Sequence, residues 1–314
     1  MTDQTHLFLH KDSTAVEPVR PTKENPSFGL HRLSDALSGW LLSLPLTLVL
    51  FFFLVLPIAM IVVVSFWGAT EFSIYPAFQF DNYEFLLTSP VTYQVFFNTI
   101  KYALITWALT LAIGFTVAYF LAFHVRTLTW QIVLFLLCTI PFWTSNIIRM
   151  ISWIPFLGRN GIANSTLISM GVIDEPLDWL LFSDFSVILA FVHLYTLFMV
   201  VPIFNTMMRI DKSLIEAAYD NGASGLQTLT NVIIPLTKPG IMIGSIFVVT
   251  LVMGDFITVR FMSGSQSANV GRLISNDIAL LQYPSAAATA VILLITVLLV
   301  ISILLRFVDI RKEL

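Results

Sequence analysis

Charge is scarce in this chain: Asp, Glu, Lys and Arg together make up 11% of its 314 residues, against about 25% in an ordinary soluble domain. A single cysteine, Cys138, leaves no internal disulfide framework and no cysteine-rich metal centre. The formal net charge of -3 provides no basic excess to attract phosphates, so nucleic acid is not expected as a partner. No Gly-x-x-x-x-Gly-Lys-Ser/Thr phosphate loop occurs, and none of the six lysines follows a glycine. The five histidines are scattered, with no His-Glu-x-x-His pair, which removes the common zinc-hydrolase pattern. What is abundant is apolar: 57% of the residues are hydrophobic, and the mean hydropathy is +0.87. These values exclude a secreted globular protein and a disordered regulator. They point to a polytopic membrane protein.

A helix needs roughly 20 mostly apolar residues to cross a hydrocarbon core about 30 Å thick. The clearest candidate, Leu41 to Phe66, contains no charged residue. Five more follow at about Phe97 to Phe123, Gln131 to Ile154, Phe185 to Met208, Pro239 to Thr258 and Ser285 to Arg306. None shows the alternation of a barrel strand, and lipid leaves a backbone no other way to satisfy its polar groups, so six transmembrane helices are expected in an all-α chain. Residues 1–38 are polar and carry Pro18, Pro21 and Pro26. They read as a cytoplasmic tail rather than a signal peptide, ahead of a permease domain over residues 39–314. Leu30, Leu33 and Leu37 have the spacing of a short interfacial helix within Gly29 to Gly39.

Orientation follows from the basic residues. With the N-terminus inside, the inner segments hold Lys11, Arg20, Lys23, Arg32, Arg126, Arg209, Lys212, Lys238, Arg306, Arg311 and Lys312, while Trp67 to Phe96 holds none. Both termini are therefore expected in the cytoplasm. The connection from Pro155 to Asp184 is then long and external.

The informative inner segment, about 209–238, contains DKSLIEAAYDNGASGLQTLTNVIIPLTKPG from Asp211 to Gly240. Ser213 and Glu216 have the spacing of a capping box, which predicts a helix from about Leu214. Gly222 suits the left-handed position just past its end. Ser224 and Gln227 repeat the capping spacing and predict a second helix, running toward Pro235, where the missing N–H breaks or kinks it. The residues alone leave two uses open for the first helix: a plug for a groove on another protein, or packing on the membrane surface.

Glu216-Ala217-Ala218, then Gly222 after three residues, then Val232-Ile233-Ile234-Pro235 after nine more, resembles the EAA loop of ATP-binding-cassette importer permeases, EAA-x3-G-x9-I-x-LP. The resemblance implies a type I importer permease of six spans whose first loop helix is a coupling helix seated in a cytoplasmic ATPase. Glu216, Ala217, Ala218, Gly222 and Pro235 would form that coupling element, although Glu216 could equally be spent on its own capping box. The resemblance further implies two copies of the ATPase holding ATP and Mg, with no cofactor in this chain. It also implies a second, related permease subunit, an external solute-binding protein, and a place in the bacterial cytoplasmic membrane.

Several charges fall in or near the spans, where they are costly and mark a pair, a pathway or a helix end. Lys101 is expected to snorkel to the interface, and His193 to be a hydrogen-bonded packing residue. Arg149 stands open between a structural pair and a pathway role. Asp255, in Gly254-Asp255-Phe256-Ile257-Thr258, could contact a cationic solute or a binding-protein loop, or pair with Arg260 or Arg149. This segment, with Ile140-Pro141-Phe142-Trp143-Thr144, Gly161 and Ile234-Pro235-Leu236-Thr237-Lys238-Pro239-Gly240, is similar to the spermidine/putrescine permease branch. The departure is Val259-Arg260 followed by Ser263-Gly264-Ser265. An added cation at the outer mouth suits a zwitterion or an anion better than a polyamine. A small nitrogenous solute is thus expected, a polyamine first.

Two rival classes fare worse. Gly222-Ala223-Ser224-Gly225 matches the G-x-S-G of intramembrane serine proteases, but no histidine follows His193 to activate Ser224. Ser224 is better read as an N-cap. A secondary transporter would show inverted repeats, and would have no use for the loop at 209–238.

Overall fold

The computed structural model describes residues 42–70 and 73–306. The tail 1–38, the interfacial helix at Gly29 to Gly39, and Arg311 and Lys312 lie outside the described residues. Among those described, five helices are long and apolar enough to cross a membrane: Leu42–Val64, Pro90–His124, Asp178–Met207, Gly225–Gly254 and Tyr283–Arg306. These are spans 1, 2, 4, 5 and 6. Span 3 is broken, with Leu128–Trp143 and Asn146–Ser169 bent by 86°. The expectation of six helices stands, but the third is not the single rod read from Gln131 to Ile154. Pro141 lacks the N–H that would continue the helical ladder. A 3-10 turn at Ile140–Trp143 follows, and then Thr144 leaves the helical region altogether (ψ 151°) before Ser145 caps a new helix.

The described chain divides into two units after Pro57. Residues 42–57 by themselves bury no side chain. In the second unit the core is a three-helix contact among spans 2, 4 and 5, filled by Tyr102, Phe191, Met199, Ile203, Val248 and Val252, each below 2% exposed. The only strands among the described residues form a two-residue antiparallel ribbon, with Gly68 opposite Tyr75 and Ala69 opposite Ile74.

Spans 4 and 5 approach closely because span 5 offers glycine at the contact. A Cβ on Gly240 would stand 2.2 Å from Thr206 Oγ1 and 2.5 Å from the Pro202 carbonyl oxygen. One turn on, a Cβ on Gly244 would meet Met199 Sδ at 2.7 Å. Gly240-x-x-x-Gly244 is the small-residue spacing by which membrane helices bring their backbones together.

Span 5 also departs from the sequence reading. Instead of beginning at Pro239, after a break at Pro235, it runs from Gly225 to Gly254. The proline is absorbed by a wider π-helical turn at Leu229–Ile233, immediately before Ile234–Gly254. Such a turn shifts the hydrogen-bond ladder by one residue, and so relieves the clash and the missing donor without ending the helix. Past Gly254 the chain becomes extended at Asp255 (ψ 107°), forms a short helix at Ile257–Met262, and later a helix at Val270–Ala279. Thr258 is therefore not the end of the span.

Candidate functional site

Two sets of residues stand at opposite ends of span 5. The first is a helical knob. Its helix, Lys212–Asp220, is capped by Asp211, whose carboxylate accepts from the Ser213 backbone N–H at 3.0 Å. That bond holds the exposed Asp211 carboxyl below its usual range. The expected capping box of Ser213 with Glu216 does not form, because the cap lies two residues earlier. Glu216 consequently makes no hydrogen bond or ion pair with any described residue and stands exposed.

The end of this helix follows from Gly222, at φ +80°. Ala223 N–H reaches the Ala218 carbonyl at 3.0 Å and Gly222 N–H reaches the Tyr219 carbonyl at 2.8 Å, the paired bonds of a glycine-terminated helix. Ser224 then caps the second helix as expected. Its hydroxyl accepts from Gln227 N–H at 3.3 Å, while Gln227 Oε1 accepts from Ser224 N–H at 2.8 Å. Ile215 packs against the core and Ala218 is half-buried, whereas Glu216 and Ala217 are exposed. Leu214, Tyr219 and Leu226 add exposed apolar surface. The knob thus presents a small apolar surface with two exposed carboxylates, Glu216 and Asp220, that have no partner among the described residues. Pro235 lies beyond it, inside span 5.

The second set gathers at the far end. Asp255 Oδ2 accepts from the Tyr195 hydroxyl at 2.7 Å and the Thr258 hydroxyl at 2.5 Å, and Oδ1 accepts from Thr258 N–H at 2.9 Å. Asn269 Nδ2 donates to the Asp255 carbonyl at 2.7 Å. Neither Arg149 nor Arg260 forms an ion pair with it among the described residues. The pairing considered for Asp255 is therefore replaced by hydroxyl donors. They orient the carboxylate and leave its charge unneutralised.

Arg149 is 7% exposed. One of its terminal nitrogens donates to Asn146 Oδ1, its guanidinium stands 5.6 Å from the centre of the Phe142 ring, and its Nε has no partner. It lines a cavity of about 200 Å3 with Cys138, Phe142 and His193. His193 is hydrogen-bonded as expected, with Nδ1 accepting from Trp153 Nε1 at 3.0 Å. Arg260 is exposed and borders a different cleft, of about 380 Å3, together with Arg272, Ser265, Ser275 and Asn276. Asp255 and Arg149 are thus linked through a line of ring contacts, Tyr195 to Phe198 to Phe142, while Arg260 borders the other cleft.

A cluster with no signature in the sequence lies nearby. Asp184 accepts from Lys101 Nζ at 2.6 Å, from the Tyr102 hydroxyl, and from Ser267 Oγ at 2.8 Å. Lys101, expected to reach the interface, is ion-paired with a carboxylate 83 positions away in sequence, and both side chains remain partly exposed. Asp184 thereby joins span 2, span 4 and the loop after span 5. Thr99 Oγ1 reinforces the join by accepting from Val270 N–H at 2.9 Å.

No protein-family model matches the chain. The spermidine/putrescine transport system permease protein PotB of Escherichia coli K12 is 37% identical over 262 residues, covering 82% of this chain and 90% of that protein. PotB of Salmonella typhimurium SL1344 is 36% identical over 270 residues, covering 85% and 90%. In three dimensions the chain is similar to a bacterial alginate ABC transporter, crystallised with its alginate-pentasaccharide-bound periplasmic protein. The TM-score is 0.70 at 16% identity, over 89% of this chain and 98% of that one. With 37% identity over 82% of its length, the chain belongs to the spermidine/putrescine permease family of ABC importers.

Proposed function

We propose that this chain is one permease subunit of an ATP-driven importer of polyamines such as spermidine and putrescine, and that the knob at Lys212–Asp220 is its coupling helix. The observation that carries the reading is the free, exposed Glu216 beside Ala217 and Ala218 on a helix closed by Gly222, in a chain 37% identical to a polyamine permease. Leu214, Tyr219 and Leu226, exposed around it, suit insertion into a cleft of a cytoplasmic ATPase. Two copies of that ATPase would bind ATP and Mg, a second related permease would complete the pathway, and an external binding protein would deliver the solute. Both termini would lie in the cytoplasm, as the basic residues direct.

In this reading Asp255 meets the ammonium of the solute. A carboxylate oriented by Tyr195 and Thr258, with no cation beside it, can accept an ammonium without first breaking an ion pair. Arg149 and Arg260 would border the pathway and discriminate among solutes. The test is ATP-driven uptake of labelled spermidine and putrescine into proteoliposomes holding the full transporter. Uptake dependent on ATP, on the ATPase and on this chain supports the reading, whereas polyamine binding to the receptor without uptake would defeat it.

A further inference from the structure

The cavity beside Arg149 holds a charge without a counter-charge. A guanidinium removed from water costs several kcal/mol unless it is paired, and among the described residues Arg149 has no carboxylate partner. Its polar contact is the Asn146 side-chain oxygen, its Nε is buried and unbonded, and the Phe142 ring offers only a weak cation–π attraction. The space it lines, about 200 Å3, has room for a few heavy atoms. No acidic side chain lines it. His193 adds a ring already oriented by Trp153. A buried cation with a free donor, an adjoining cavity and no built-in counter-charge is the arrangement by which proteins take up carboxylates.

We propose that this cavity is an anion-accepting subsite, in which the Arg149 guanidinium takes the carboxylate of a small amine-bearing solute. Asp255 accepts from Tyr195, whose ring touches Phe198, and Phe198 in turn touches the Phe142 ring beside Arg149, so a molecule with an ammonium at one end and a carboxylate at the other can meet a complementary group with each along this line of rings. A polyamine fills only the Asp255 side. The assignment of the solute rests on the reading of Asp255 given above. The anion site itself does not.

Cys138, the only cysteine of the chain, lines the same cavity and serves as a reporter in the assembled transporter. A sulfonate-bearing methanethiosulfonate and its trimethylammonium counterpart are compared for labelling of this chain, each rate normalised to that reagent's rate with a free thiol. The anionic reagent is expected to be favoured by at least about tenfold, the scale by which a cleft lined with one sign of charge concentrates its counter-ion. The preference should vanish in Arg149→Gln and survive in Arg149→Lys. On the unmodified chain, 4-aminobutyrate should slow the anionic reagent, and putrescine at the same concentration should not. Equal rates, a preference that persists in Arg149→Gln, or a Cys138 closed to both reagents because a neighbouring chain fills the cavity, would overturn the anion site. Labelling indifferent to 4-aminobutyrate would overturn the solute assignment. Failure of Asp255 as the ammonium contact would appear separately, as unchanged polyamine uptake by Asp255→Asn with the Cys138 selectivity intact.

Discussion

The Tyr195 hydroxyl donates to Asp255 Oδ2 at 2.7 Å, fastening the fourth span to the point where the fifth stops being a helix. That bond has to break if the two spans part at this end. If Asp255 receives the ammonium of the solute, Asp255→Asn should lower polyamine uptake at least about tenfold, since a hydrogen bond to a charged group contributes roughly 1.5–3 kcal/mol. Assembly with the ATPase should be unchanged. Tyr195→Phe keeps the charge and loses only its orientation, so it should fall between wild type and Asp255→Asn. Equal uptake in all three proteins returns Asp255 to a purely structural role.

Glu216→Lys reverses the charge beside Ala217 and Ala218 on the knob, and it should abolish ATP-driven uptake while the protein still inserts. Gly222 is at φ +80°, and a Cβ added there would meet nothing within 4 Å, so substitution acts through backbone strain alone. A left-handed conformation costs a non-glycine residue about 1–2 kcal/mol, more for a branched one and less for asparagine. Uptake should therefore rank Gly222, then Asn, then Val. Pull-down of the ATPase together with solute-stimulated ATP hydrolysis distinguishes lost docking from lost transmission.

Asp184 is the acceptor for Lys101, Tyr102 and Ser267, and Asp184→Asn should destabilise the fold without a specific effect on solute choice. Because the pair is partly solvated, the ion-pair share is only about 1 kcal/mol, and the lost acceptor adds a similar amount. Thermal unfolding of Lys101→Met, Asp184→Asn and the double variant should be non-additive. Additive losses would mean that the two side chains do not depend on each other.

Burial pushes the Asp277 carboxyl up, against a partly offsetting hydrogen bond from Ser285 Oγ at 2.9 Å. A carboxyl whose folded value exceeds its unfolded one favours folding below the ordinary carboxylate range, and that contribution is lost as pH rises through the folded value. Asp277→Asn removes the dependence while retaining an acceptor for Ser285. Its melting temperature should exceed that of wild type at neutral pH, with the gap closing as pH falls toward the ordinary carboxylate range, about 4.

Much of the membrane-spanning plan is legible because it is written locally. Spans 4 and 6 are apolar runs interrupted by little, and span 6 ends where the hydropathy does, with the other limits shifted by the usual uncertainty of helix boundaries. Gly222 and the Ser224–Gln227 box are readable for the same reason, since each acts on its own neighbours. The cap at Asp211 is hidden because Ser213 offers an equally good local pattern. Prolines mislead in both directions. Pro141 gives no warning inside span 3, where the helix breaks, while Pro235 suggests a break that a π-helical turn removes. A proline states that one donor is missing and not how the backbone responds. The Asp184 cluster and the lack of a cation for Asp255 are beyond reach, being set by contacts between residues far apart in sequence. Gly240-x-x-x-Gly244 is by contrast a local signal, and it places span 5 against span 4.

Because the π-helical turn carries the helix past Pro235 unbroken, Gly225–Gly254 is one rod of 30 residues, about 45 Å long at 1.5 Å per residue. A rod of that length would tilt as a lever about the point where Gly240 lets it lie on Pro202 and Thr206. A tilt of about 10° displaces each tip by roughly 4 Å on these dimensions. That is more than a hydrogen bond survives, so if the knob is the coupling helix, a modest push there would suffice to draw Asp255 away from Tyr195.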